Sequence, residues 1–143
     1  MERRRAGPAT PQGEGISLGR AALQAFILST IANLVIFYVT NAIADDNIIA
    51  PNTGDELPMF LVIFTTAFYT AGAVGMYWLV VRRLGRSFGV FRVISFVALV
   101  ITFLPVFLYE HVETVTSIAL SLMHLVSYVI IMASLSGFNV LRR

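Results

Sequence analysis

Residues 21–44 read AALQAFILSTIANLVIFYVTNAIA and carry no charged side chain. As a helix rising about 1.5 Å per residue, the stretch is long enough to cross a hydrocarbon core of about 30 Å. Three more apolar runs follow. PMFLVIFTTAFYTAGAVGMYWLVV covers 58–81 and opens on Pro58, where a missing N–H costs a helix least. A third run covers about 90–109 and holds Pro105 roughly one turn from its outer end, which is expected to bend or stop it. The fourth, TVTSIALSLMHLVSYVIIMASL, covers about 114–135 and is followed by Gly137 and Asn139, which suit a C-terminal cap region.

The totals agree with this reading. The chain has 143 residues, 57% hydrophobic and 13% charged, with a mean hydropathy of +0.81. A soluble domain carries about 25% charge, so the expected solvent is the lipid bilayer. Four spans of about 20 residues with short loops use nearly the whole length and leave no room for a second folded domain. The organisation expected is a disordered cytoplasmic arm at 1–19, a four-helix transmembrane domain at 20–136, and a short cytoplasmic tail at 137–143. The arm, MERRRAGPATPQGEGISLG, is too poor in apolar residues to bury anything. Arg3, Arg4 and Arg5 offer at most a weak contact with anionic lipid.

The basic residues orient the spans. Arg3, Arg4, Arg5 and Arg20 precede or open helix one; Arg82, Arg83, Arg86 and Arg92 surround the loop between helices two and three; Arg142 and Arg143 close the chain. The other two loops hold Asp45, Asp46, Asp55, Glu56, Glu110 and Glu113 and no basic residue. Excess Arg marks cytoplasmic loops, so both termini and the middle loop are expected inside. The fold class expected is therefore an all-α membrane protein, an antiparallel four-transmembrane-helix bundle with N-in/C-in topology in the cytoplasmic membrane. A signal peptide is the alternative for helix one, because Arg3 to Arg5 precede an apolar run ending in Ala42-Ile43-Ala44. The run exceeds the usual 7 to 15 residues of such a core, which favours the span.

Any function must begin with polar groups inside the spans. At 100° per residue, Ser29, Thr30, Asn33, Thr40 and Asn41 share about 120° of helix one. In helix four, Ser117, Ser121, His124 and Tyr128 follow i, i+4, i+7, i+11 and share a face. Asn33, Tyr69 and His124 all lie midway along their spans, so antiparallel packing would bring them together near the bilayer midplane. Most other polar positions fall in the outer half. The ligand site this suggests is an outward-opening polar pocket floored by His124 and Asn33, with Tyr69, Ser121, Tyr128 and Asn41 around it. The plainer account is that Asn, Ser, Thr and His hold spans together by interhelical hydrogen bonds. His124 has the stronger claim on chemistry, since an imidazole can exchange a proton near neutral pH or bind a ligand.

Ala67, Ala71 and Gly75 recur every four residues in helix two, a small-xxx-small pattern that permits close helix approach. Packing within the bundle is the expected use, contact with a second copy the alternative. The loop sequence Glu110-His111-Val112-Glu113, with Asp45 and Asp46, carries metal-binding groups, but its spacing matches no familiar metal motif. It reads as a solvated acidic loop, and no metal and no cofactor are implied.

Several classes lose support. Without Cys there is no disulfide framework and no thiol chemistry. No span contains Asp or Glu, as a small proton-coupled antiporter would require. Bis-histidine haem ligation needs two facing imidazoles, and the membrane holds one. There is no phosphate loop, zinc protease motif or Ser-His-acid constellation, and nucleic acid is not an expected partner.

The segments Ala32-Asn33-Leu34, Ser95-Phe96-Val97 leading to Leu104-Pro105, and Leu122-Met123-His124-Leu125-Val126, set in four short spans, resemble an uncharacterised family of small prokaryotic four-helix integral membrane proteins, a domain of unknown function. The resemblance covers about residues 20–136 and is most specific at Leu-Met-His-Leu. It implies the four-span topology and draws attention to His124 and Asn33, but transfers no activity. The Arg-rich arm and acidic outer loop are not features it accounts for. The function expected is that of a non-enzymatic membrane protein whose partners are the bilayer and either a second copy or another membrane protein. The alternatives are a small-molecule or lipid binding or transport module, and an enzyme using His124 as general base.

Overall fold

The computed structural model of the chain describes residues 17–43, 48, 55–108 and 114–140. Among these the chain is all-α, with four helices: α1, Leu18–Ile43; α2, Met59–Tyr77, prolonged by a wider π-helical segment, Trp78–Arg83; α3, Phe88–Leu108; and α4, Thr114–Val140. Three are long and apolar enough to cross a membrane, Leu18–Ile43, Met59–Arg83 and Thr114–Phe138, while the apolar stretch counted for α3, Phe88–Leu104, is shorter. The basic arm before residue 17, the acidic residues Asp45, Asp46, Glu110 and Glu113, His111, and Arg142 and Arg143 lie outside the described residues.

Local chemistry sets the helix starts. Ser17 caps α1, its hydroxyl accepting from the Arg20 N–H at 3.2 Å. Pro58 precedes α2 in extended conformation (φ −74°, ψ 140°), where its missing N–H breaks no helical bond. Ser87 opens α3, its hydroxyl 3.4 Å from the Val90 N–H. Between the π segment and α3 the chain reverses at Gly85, whose φ of +63° is a left-handed conformation that glycine adopts without a Cβ clash. The Arg86 N–H then reaches back to the Val80 carbonyl at 3.0 Å, closing the turn.

α3 ends at Leu108, close to the expected 109, so Pro105 does not stop it, and the helix tolerates the missing N–H one turn from its end. One helix end differs from expectation. α4 continues through Gly137 to Val140, because burial of Leu135 and Phe138 rewards one more turn and keeps the glycine helical instead of making it a cap. The π segment was not foreseen; its wider winding places Val80 beside Tyr77 on the buried face.

Two apolar clusters hold the helices together. One joins the start of α1 (Ala21, Ala25) to Tyr77, Val80 and Phe91 and to the end of α4 (Ile131, Leu135, Phe138). Here the Tyr77 ring meets Phe91 and Phe138 edge-on, at centroid distances of 5.4 and 6.0 Å. The second joins Phe37 near the end of α1 to Ile48, to Val62 early in α2, and to Ala119 and Met123 early in α4. Ile48 is pinned there by its backbone: its N–H donates to Asn41 Oδ1 at 3.0 Å and its carbonyl accepts from Leu57 at 2.7 Å.

The buried positions of α1 are Ala21, Ala25, Ser29, Asn33 and Phe37, one every fourth residue. Such a row is a helix ridge, and small residues along it let backbones approach. Its ends lie in the two apolar clusters, and its middle, Ser29 and Asn33, is polar. Between the clusters therefore lies a buried polar layer of Ser29, Asn33, Thr66, Thr70 and Ser127.

Ala25 is fully buried in the first cluster, whereas Leu23 is 58% exposed. Replacing Ala25 by Leu should lower stability by about 1–3 kcal/mol through overpacking. Leu23→Ala should leave it nearly unchanged, as followed by unfolding monitored through the fluorescence of Trp78.

Candidate functional site

Asn33 is the hub of the polar layer. Its side-chain amide donates two hydrogen bonds, to Thr66 Oγ1 on α2 and to Ser127 Oγ on α4, both at 2.9 Å. Thr66 passes its own hydroxyl proton to the Val62 carbonyl at 2.7 Å. A primary amide carries two hydrogens, so one side chain can donate to two other helices at once, whereas a hydroxyl has a single hydrogen to give. The carbonyl oxygen of the same amide, Asn33 Oδ1, is buried without a partner among the described residues, as are Ser29 Oγ, Thr30 Oγ1, Thr70 Oγ1 and Ser121 Oγ.

The expected meeting of Asn33, Tyr69 and His124 occurs only in part. Tyr69 and His124 do meet, ring centroids 5.5 Å apart, and Phe103 of α3 stands on His124 at 6.1 Å. Asn33 is engaged elsewhere, with Thr66 and Ser127. Ser127 and His124 are three residues apart, hence about 60° apart around α4, and this rotation turns the imidazole away from α1 toward α2 and α3. His124 Nδ1 lies 2.7 Å from the Leu120 carbonyl, one turn earlier. A carbonyl only accepts, so in this contact Nδ1 is the donor.

The stripe Ser117, Ser121, His124 and Tyr128 is half-buried along its length. The face that packs inward on α4 instead runs through Thr116, Ala119, Met123, Ser127 and Ile131. Polar density pointed to the first stripe, but spacing by four among small and apolar residues was the signal for the second. Thr66 and Ser127, the partners of Asn33, were visible in the sequence only as scattered polar positions. Asn41 proves to be a structural acceptor for the Ile48 N–H.

Two cavities lie on the flanks, and neither is lined by Asn33 or His124. One cavity, about 430 Å³ between α3 and α4, is lined by Phe103, Thr114, Ser117, Ile118, Ser121, Leu122 and Leu125. The other, about 560 Å³, is an apolar groove between α1 and α2 walled by Ala22, Phe26, Thr70, Val74 and Trp78 together with Ala67, Ala71 and Gly75. The small-residue row was expected to pack within the bundle. It borders this groove beside α1, with Ala71 and Gly75 exposed. Apart from the helix's own backbone, nothing lies within 4 Å of where a Cβ on Gly72 or Gly75 would stand.

Among the described residues no group of three or more His, Cys, Asp or Glu is placed to hold a metal ion. The Glu110-His111-Val112-Glu113 loop falls outside them.

Four helices, an apolar ridge and a polar layer centred on one amide describe an architecture without naming a reaction. A family model described as "Family of unknown function (DUF6069)" matches residues 15–139. The chain belongs to this family. That agrees with the resemblance to an uncharacterised domain, and the match spans all four helices of the fold. No curated protein and no solved structure matches the chain.

Asn33→Leu removes both interhelical bonds and strands the Ser127 hydroxyl, so it should cost about 1–3 kcal/mol of stability. His124→Leu breaks only a bond within its own helix and should cost less. Comparing the two variants by denaturant or SDS titration checks which residue holds the helices together.

Proposed function

We propose that the protein is a multi-pass integral protein of the cytoplasmic membrane, an antiparallel bundle of four transmembrane helices with both termini inside. In this reading it is not an enzyme and acts by associating, within the bilayer, with another membrane protein or a second copy of itself. The fourth span is α3, whose 21 residues reach about 30 Å at helical rise. The orientation draws on the charges. Arg20, Arg82, Arg83, Arg86 and Arg92 gather at the end where Ala21, Tyr77, Phe91 and Phe138 pack, and Asp55 and Glu56 precede α2 near the other cluster. Arg at one end and acid at the other is the cytoplasmic bias expected of such spans.

The observation that carries association is the groove beside Ala67, Ala71 and Gly75. Ala71 and Gly75 are exposed along it, and such a surface of small residues is suited to close approach by another helix, where dispersion and packing supply the affinity. Non-catalytic action is supported by His124, whose Nδ1 is held by a backbone carbonyl and not by an orienting carboxylate, a poor arrangement for a general base.

The chain has no cysteine, so single cysteines report cleanly. Gly75→Cys in native membranes should give an oxidative cross-link to a second copy or to a partner, and Ala71→Leu added to it should abolish the product. A chain that gives no adduct and runs as a monomer in mild detergent would count against association. For topology, Asp55→Cys should react with an impermeant maleimide in intact cells and Arg86→Cys only after permeabilisation; the reverse pattern would invert the orientation.

A second reading has one observation in its favour. Ser121 Oγ, without a partner among the described residues, belongs to the wall of the α3–α4 cavity, beside Ser117 and the apolar Phe103, Leu122 and Leu125. That wall suits a small amphipathic molecule with one hydrogen-bonding group. Its mark would be a co-purifying ligand that Ser121→Val releases while the protein stays folded.

A further inference from the structure

Three of the unpartnered oxygens lie on facing ridges of α1 and α2. Asn33 bonds Thr66, and Phe37, one turn later in α1, shares a cluster with Val62, one turn earlier in α2. Toward the other end, Ala25 shares a cluster with Tyr77. Position numbers rise along α1 as they fall along α2, so Ser29, one turn before Asn33, stands at the level of Thr70, one turn after Thr66. Ser29, Asn33, Thr66 and Thr70 therefore form the corners of one square between the two helices.

The four positions are polar and buried, with Thr70 at the border of the α1–α2 groove. Ser29 is 0%, Asn33 6% and Thr70 4% exposed. Thr66 is satisfied, receiving from Asn33 and donating to Val62. The other three corners present Ser29 Oγ, Asn33 Oδ1 and Thr70 Oγ1, none with a partner among the described residues. Asn33 Oδ1 can only accept, while both hydroxyls can donate and accept. In the middle of an apolar bundle each unmet group carries a desolvation cost of about 1–3 kcal/mol, and one guest that both donates and accepts would meet all three.

We propose that the Ser29–Asn33–Thr70 square is a binding site for internal water, one or two molecules that donate to Asn33 Oδ1 and bridge the Ser29 and Thr70 hydroxyls. Water has two donors and two acceptor sites and makes about three bonds at such positions. A cation fits the site less well: every oxygen of the square is neutral, no span holds a carboxylate, and an uncompensated charge at that depth is expensive. The guest couples α1 to α2 one turn away from the direct Asn33–Thr66 bond, so the polar layer extends as a hydrated seam.

The test is made on the full chain in detergent or nanodiscs, with the thermal midpoint read from Trp78. Thr70→Val keeps the side-chain shape and deletes the hydroxyl; Thr70→Ser keeps the hydroxyl and deletes the methyl. Bound water predicts that Val lowers the midpoint by about 2–4 °C and that Ser loses less. Ser29→Ala should behave like Thr70→Val, and the double variant should lose less than the sum, because both hydroxyls serve one guest. Ser29→Ala also reads the site from the other helix if Thr70→Val does not fold. The proposal is overturned if Thr70→Val is as stable as the parent or more so, the result for a dry square where an unmet hydroxyl has been removed. It is overturned equally if Ser loses as much as Val, or if the midpoint rises in sodium chloride over choline chloride at equal concentration, which would identify the guest as a cation.

Discussion

The side-chain amide of Asn33 is the constraint on which the arrangement of the helices depends. Its two hydrogens go to Thr66 and Ser127 at equal distances of 2.9 Å, so α1 is joined to α2 and α4 at one level. An apolar ridge alone can slide along its partner by a turn with little penalty when its neighbours are also apolar. A two-donor amide resists sliding, because a shift of one turn along α4 would replace Ser127 by Met123 or Ile131 and set a hydrogen against carbon. The two apolar clusters supply the packing, and the amide chooses the register in which they pack.

From that register the other features take their places. The every-fourth-residue ridge of α1 carries Ala21 and Ala25 to Tyr77 and Phe138 at one end and Phe37 to Val62 and Met123 at the other. Because Ser127 is the residue of α4 that faces α1, His124 is rotated to the flank, onto Tyr69 and Phe103. Ala67, Ala71 and Gly75 of α2 stand at the edge of a groove beside α1.

Much of the fold was legible in the residues. Uncharged apolar runs of about 20 residues are helices in a low-dielectric solvent because each backbone N–H must find a carbonyl within its own segment. Reading those runs located all four helices, with ends moved by a few residues. Asn33 also stood out, as an amide midway along an apolar run must find partners or incur a cost. What misled was the stripe Ser117–Ser121–His124–Tyr128: polar groups on one helical face suggest an interior, yet a hydroxyl or imidazole can satisfy itself on its own helix, as His124 does with Leu120.

The sequence by itself therefore determined the helices, their apolar character and the segregation of basic from acidic residues, since these follow from local composition and from hydrogen bonds closed within one segment. Only the tertiary structure decided which of two faces of α4 turns inward, that Thr66 and Ser127 are the partners of Asn33, and that the small-residue row of α2 borders open space. Those outcomes depend on the rotation of each helix about its axis. That rotation is set by side chains from three helices fitting at once, a quantity that no single helix encodes.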